Sequence, residues 1–118
     1  MTVAGRQPFR LDVAREGNAA VVRVSGSVTI TEADQLREAL ENLAAEHAPV
    51  MVLDLANMDF ICSLGLGAII SGHLKCRHHR GQVRLVHPQP PVRELLETTR
   101  LTKLFGIYDS VAQALPET

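Results

Sequence analysis

Val50-Met51-Val52-Leu53-Asp54-Leu55 is an almost unbroken apolar run that begins directly after Pro49. Apolar residues at both odd and even positions mean that both faces of this strand are covered, which is the pattern of a central strand rather than of a half-solvated antiparallel one. The segment ahead of it is helical, so the strand is reached by a crossover and pairs in parallel with an earlier neighbour. This stretch therefore selects an α/β fold.

Toward the N-terminus, Ala33, Leu36, Leu40, Leu43 and His47 recur at helical spacing while Glu32, Arg37, Glu38 and Glu41 face elsewhere. That makes an amphipathic helix, with Thr31 as its cap and Asp34 three residues on. Before it, residues 8–16 and Ala19–Ser25 read as two strands joined by the turn signal Gly17-Asn18. They form an antiparallel hairpin.

Toward the C-terminus, Leu64 to His79 reads as a second helix with Leu66, Ile69, Ile70, His73 and Leu74 on one side, stopped by Gly81. Gln82–Val86 is a further strand, Pro88–Pro91 a rigid connector, and Val92–Glu97 a short helix. Ile107-Tyr108 closes as a brief strand, and Asp109 or Ser110 caps a last helix with Gln113 downstream. The order predicts an α/β domain with a small mixed sheet and about four helices.

With 118 residues the chain is one domain, 1–118, its core at about 8–116, and it buries a core without a metal or disulfide staple. Twelve basic and thirteen acidic side chains leave a net charge of −1, so no basic field attracts phosphate backbones or anionic lipid. Nucleic acid and membrane are not expected partners. The apolar stretch Leu64–Ile70 is far short of the roughly 20 residues that span a bilayer, and no apolar segment follows a basic N-terminus. With only Cys62 and Cys76, on either side of most of a helix, a reducing cytoplasm is the simpler location. The run Arg77-His78-His79-Arg80 is suited to the negative C-terminal pole of its helix.

The chemistry concentrates in Asp59-Phe60-Ile61-Cys62-Ser63-Leu64-Gly65-Leu66-Gly67. With a helix starting near Leu64, Ser63 stands at its N-cap, where a hydroxyl accepts a backbone N–H. The same place suits a phosphate, because helix N-terminal N–H groups and the positive end of the dipole stabilise an anion. Phosphorylation there adds about −1.5 to −2 charge to one loop without disturbing the core. Gly65 and Gly67 either let the helix approach its neighbour closely or form a phosphate loop with Gly72; neither phosphate-loop fingerprint occurs. Cys62 is either a thiol made reactive by the helix terminus or a small packed hydrophobe. Ser63 lacks the preceding glycine of a nucleophile elbow, and Cys76, His78 and His79 sit on one helical turn without a second ligand cluster. No catalytic residue, metal site or cofactor is therefore expected.

These residues resemble the STAS family, the domain shared by sulfate transporters and bacterial anti-sigma factor antagonists. The pattern runs through Val24-Ser25-Gly26-Ser27-Val28, Val52-Leu53-Asp54-Leu55, Phe60 to Gly67, Arg80-Gly81-Gln82-Val83-Arg84-Leu85 and Leu101 to Ser110, ending at Ala114-Leu115. The resemblance implies helices packed mainly on one face of the sheet. It also implies that Ser63 is phosphorylated by a partner that is both serine kinase and anti-sigma factor. In that cycle the unmodified protein captures the kinase through Cys62, Ser63, Leu64, Gly65, Leu66 and Gly67, modification releases it, and a phosphoserine phosphatase resets it. Where the family has Asp-Ser-[Ser/Thr]-Gly, this chain has Cys62-Ser63-Leu64-Gly65, and Asp59 lies three residues before Cys62. These departures favour an alternative: a constitutive scaffold or sensory-complex protein in which Ser63 is only a cap.

Overall fold

The computed structural model describes residues 8–116. The reading of the N-terminus as lacking a leader, and the outermost ends of the 1–118 domain, fall partly or wholly outside the described residues. Six strands and four α-helices follow one another as β1 (Arg10–Glu16), β2 (Ala19–Val28), α1 (Ile30–Ala45), β3 (Val50–Asp54), β4 (Met58–Ile61), α2 (Ser63–Arg77), β5 (Gln82–Val86), α3 (Pro90–Thr98), β6 (Gly106–Tyr108) and α4 (Val111–Ala114). A single 3₁₀ turn, Leu101–Lys103, precedes β6.

The sheet order is β1-β2-β3-β5-β6, with β4 paired to the far end of β2. Only β1 runs antiparallel, and it pairs with β2 from Arg10 opposite Ser25 to Glu16 opposite Ala19. The remaining pairs are parallel, as the helical crossovers require. β3 sits in the middle, and Val50 through Leu53 are all buried, as a strand covered on both faces should be.

The two faces are covered unequally. Val22, Val24, Met51, Leu53, Val83 and Leu85 point into the main core, where they meet Leu36, Leu40 and Leu43 of α1, Leu66 and Ile69 of α2, and Val92 and Leu96 of α3. The opposite face carries Ala19, Val21, Val50, Val52 and Val86 under the one-turn helix α4. Arg84 ties that helix down by donating from its guanidinium to the Ala114 carbonyl at 2.9 Å, and it lies over the Tyr108 ring.

Five local expectations are corrected. The cap of α1 is Thr29, not Thr31: its N–H and its hydroxyl both donate to the Glu32 carboxylate, and the hydroxyl holds that carboxyl below its ordinary pKa. His47 does not extend the buried stripe of α1. It lies beyond the helix end with φ at 61°, exposed, its ring stacked on His79 at 3.7 Å. α2 is not stopped by Gly81 alone, since Arg80 takes the left-handed conformation (φ 64°) and the Gly81 N–H donates to the Cys76 carbonyl at 2.8 Å. Gly81 is needed for a different reason: a Cβ there would stand 3.0 Å from the carbonyl oxygens of both Ala48 and Pro49. Leu74, placed by its spacing on the packed side of α2, is instead 53% exposed. The prolines at 90 and 91 open α3 rather than connect to it, because the first turn of a helix needs no N–H from them.

Candidate functional site

The site forms where β4 hands over to α2, and β4 itself was not legible as a strand. Its register puts Phe60 opposite Ser27 and Ile61 opposite Val28, after an irregularity between Gly26 and Ser27. The next residue continues the pairing: the Cys62 N–H donates to the Val28 carbonyl at 2.9 Å. This bond holds Cys62 extended (φ −82°, ψ 171°) while its own carbonyl accepts the first helical bond from the Leu66 N–H at 3.0 Å.

Cys62 is therefore the N-cap and Ser63 the first helical residue, which corrects the placement of Ser63 at the cap. No side chain caps α2 among the described residues. The Ser63 hydroxyl is exposed at the positive end of a 15-residue helix. A phosphate attached to it would stand beside the first turn's free N–H groups.

The neighbouring positions divide by environment. Leu64 is 57% exposed and Phe60 51%, and Ile30, which opens α1 two residues after Val28, is 68% exposed. Gly67 is also exposed, and a Cβ there would meet nothing within 4 Å. Gly65 and Leu66 are buried. A Cβ on Gly65 would lie 2.6 Å from Ile61 Cγ1 and 2.9 Å from Val28 Cγ1, so only glycine lets α2 start this close to β2 and β4. Gly72 plays the same part against Leu40 of α1, where a Cβ would come within 3.0 Å of Leu40 Cβ. Close packing thus accounts for Gly65 and Gly72, which lie within α2 rather than in a phosphate loop; Gly67 has no such need.

Cys62 is half-buried and packs against the main core, as a small hydrophobe does. Cys76 is buried on the inner side of the same helix, and burial pushes its thiol above the ordinary pKa. Both thiols are free.

The histidines on α2 and just past its C-terminal end lie away from Ser63. His73 is ten residues further along α2, about 15 Å at 1.5 Å per residue. It is buried at 3% exposure, its Nδ1 accepting from the Val83 N–H at 3.1 Å and its ring edge-on to Phe105 at 5.1 Å. Desolvation, and then the nearby Arg77 charge, hold its pKa below the ordinary value, so it is a neutral packed imidazole. His78 and His79 are exposed past the last turn, and no group of three or more metal-ligating side chains occurs among the described residues. Lys75 pairs with Glu41 of α1 at 3.4 Å, and Lys75 and Arg77 occupy the last turn, as the helix dipole favours. No helix of the described residues is long and apolar enough to cross a membrane.

Two features escaped the sequence reading. One is the exposure of Ile30, Phe60 and Leu64, apolar residues of three different elements that adjoin the pairing of β2 with β4. The other is Asp59, whose Oδ2 is buried without a hydrogen-bond partner. It lines two adjoining cavities, one of about 190 Å³ against Pro91, Val92 and Leu95 of α3 and one of about 280 Å³ with Ser27 and Thr29.

Known proteins share the fold that carries this site. The family model for the STAS domain matches residues 10–114. The chain is 30% identical over 113 residues to the anti-sigma F factor antagonist of Paenibacillus polymyxa, covering 92% of this chain and 94% of that one. The crystal structure of an anti-sigma factor antagonist from Mycobacterium paratuberculosis superposes with a TM-score of 0.82 at 27% identity, covering 91% of each chain. The Bacillus cell-fate determinant SpoIIAA in its phosphorylated form shares the fold, with a TM-score of 0.72 at 18% identity over 91% of this chain and 96% of that one.

Proposed function

The chain belongs to the STAS domain family, and from that premise we propose that it is an anti-sigma factor antagonist switched by phosphorylation of Ser63. The observation that carries the reading is the Ser63 hydroxyl itself, exposed on the first residue of α2 and not used as a cap. A kinase reaches such a hydroxyl without unfolding anything, because Cys62 and Gly65 fix the backbone on either side. The unmodified face offers Ile30, Phe60 and Leu64 as apolar contacts around Ser63. A phosphate of about −1.5 to −2 charge in the midst of that face opposes apolar docking, while the helix terminus stabilises it within the free antagonist.

In this reading the partner is an anti-sigma factor with serine kinase activity, and a phosphoserine phosphatase reverses the modification. Ser63 is a substrate residue, the domain is not a catalyst, and it works in the cytoplasm without a cofactor. Of the residues expected at the interface, Ser63, Leu64 and Gly67 present surface, Cys62 is half-buried, and Gly65 and Leu66 act from beneath by setting the position of the turn.

The test is incubation with the cognate kinase and ATP followed by mass spectrometry: modification at Ser63 is expected, and an unmodified Ser63 sinks the switch. Ser63→Asp should weaken the complex at least tenfold with the fold intact, whereas equal affinity of both forms removes the charge argument. One observation favours a second reading. Where the family motif carries an aspartate, Cys62 packs into the core and leaves no carboxylate beside Ser63. A constitutive scaffold would then be the function, recognised by a stable partner indifferent to both Ser63→Ala and Ser63→Asp.

A further inference from the structure

We propose that the cavity lined by Ser27, Thr29, Asp59 and Phe60 is a socket for an arginine side chain of the protein partner. The inference rests on the anti-sigma antagonist reading for the partner's class, and on the geometry of this chain for the chemistry. Asp59 is part-buried and lines the cavity, and its closed-off Oδ2 has no hydrogen-bond partner among the described residues, so the carboxylate charge is not met from within and a charged donor entering the cavity would answer it. Two of its described neighbours have no donor to give. The adjoining end of α3 begins with Pro90 and Pro91, which have no N–H, and the Thr29 hydroxyl proton is donated to Glu32.

None of the described residues lining either cavity at Asp59 is basic. What the cavity offers is acceptors: the carboxylate, the remaining lone pairs of the Thr29 hydroxyl, and the Ser27 hydroxyl. It also offers the half-exposed ring of Phe60. A guanidinium answers all of these at once, with a fork of donors for the carboxylate and hydroxyls and a flat cation for the aromatic ring. A lysine ammonium has the charge but neither the fork nor the plane. The socket lies on the strand that leads into Ser63, three residues before it at Phe60, so a partner seated on Leu64 and Ile30 brings an arginine within reach of it.

The experiment has two arms. In the first, N-acetyl-arginine amide is titrated into the isotope-labelled protein, with the N-acetyl-citrulline amide as the uncharged isostere. Saturable shifts in the amide signals of Ser27, Thr29, Asp59 and Phe60 are expected with arginine, absent with citrulline, and lost in Asp59→Asn. Their absence, or their persistence in the variant or with citrulline, overturns the socket. In the second arm, the anti-sigma factor that binds the wild-type chain is measured against Asp59→Asn and Asp59→Glu. A loss of tenfold or more in Asp59→Asn with partial recovery in Asp59→Glu is expected, and unchanged affinity overturns the socket while leaving the Ser63 reading standing. If no anti-sigma factor binds the wild type, it is the proposed function that fails, and the arginine titration alone decides the socket. Because Oδ2 is unpaired, Asp59→Asn should melt at or above the wild-type temperature; a marked drop there and in Asp59→Ser would make Asp59 a structural residue and overturn the proposal.

Discussion

The two ends of α2 are built on opposite terms. At its C-terminal end three contacts close the helix off: Lys75 with Glu41, His79 stacked on His47, the Gly81 N–H with the Cys76 carbonyl. At its N-terminal end the backbone is as firmly held, through the Cys62 N–H and Gly65, yet the side chains Ser63, Leu64 and Phe60 are left facing outward. A rigid frame with unengaged side chains is what a recognition surface requires, since no ordering cost falls on the backbone when a partner docks. The closed end secures the helix so that the open end can change its chemistry without moving.

The sharpest way to break this contrast is to disturb the frame at the open end. Gly65→Ala drives a methyl into Ile61 and Val28, and a loss of about 1–3 kcal/mol in denaturant unfolding is expected. Next in size is the pH response of the buried His73, midway to the closed end. The folded protein keeps this imidazole neutral below the pH at which the unfolded chain protonates it, so stability is full above the ordinary value of 6.5 and falls as pH drops through it. Unfolding free energies measured from pH 8 to pH 5 should show that decline, and His73→Gln should flatten it.

Gly67→Ala probes the same helix where nothing is packed against it. A gain of about 0.5–1 kcal/mol is expected from helix propensity alone, and a loss comparable with that of Gly65→Ala would mean the outer face of α2 is not open. Smallest is the stability of Ser63→Asp, which places an acid in the first turn and should raise the melting free energy by about 0.3–1 kcal/mol at low salt. That gain, set against weakened partner binding, separates a surface effect from damage to the fold.

Much of this architecture is written in local pattern. The hairpin, β3, the body of α2 and the Ser110 cap follow from turn chemistry and apolar spacing, and Ser110 does accept from the Gln113 N–H at 3.2 Å. β4 was hidden because Met58-Asp59-Phe60-Ile61 is too short to display a period and carries its part-buried and its exposed residue side by side in the middle. The caps went wrong for one reason. Thr29 and Thr31 each have an acid three residues on, and Ser63 outranks Cys62 as a cap by preference, so propensity could not decide. Long-range strand pairing did: β2 runs on to Val28, and its carbonyl claims the Cys62 N–H. The exposed trio and the Asp59 socket lay beyond reach because they are made between elements, where spacing along the chain carries no information.

One small feature has wide reach. A single turn of helix, α4, shields Ala19, Val21, Val50, Val52 and Val86, and its grip includes the one bond from Arg84 to the Ala114 carbonyl. Clipping the chain just before Ser110 would strip that lid and bare a row of β-branched side chains on a sheet that is otherwise complete. The trimmed protein should self-associate on sizing columns while keeping its far-ultraviolet spectrum, so a few C-terminal residues decide whether this domain circulates alone or sticks to itself.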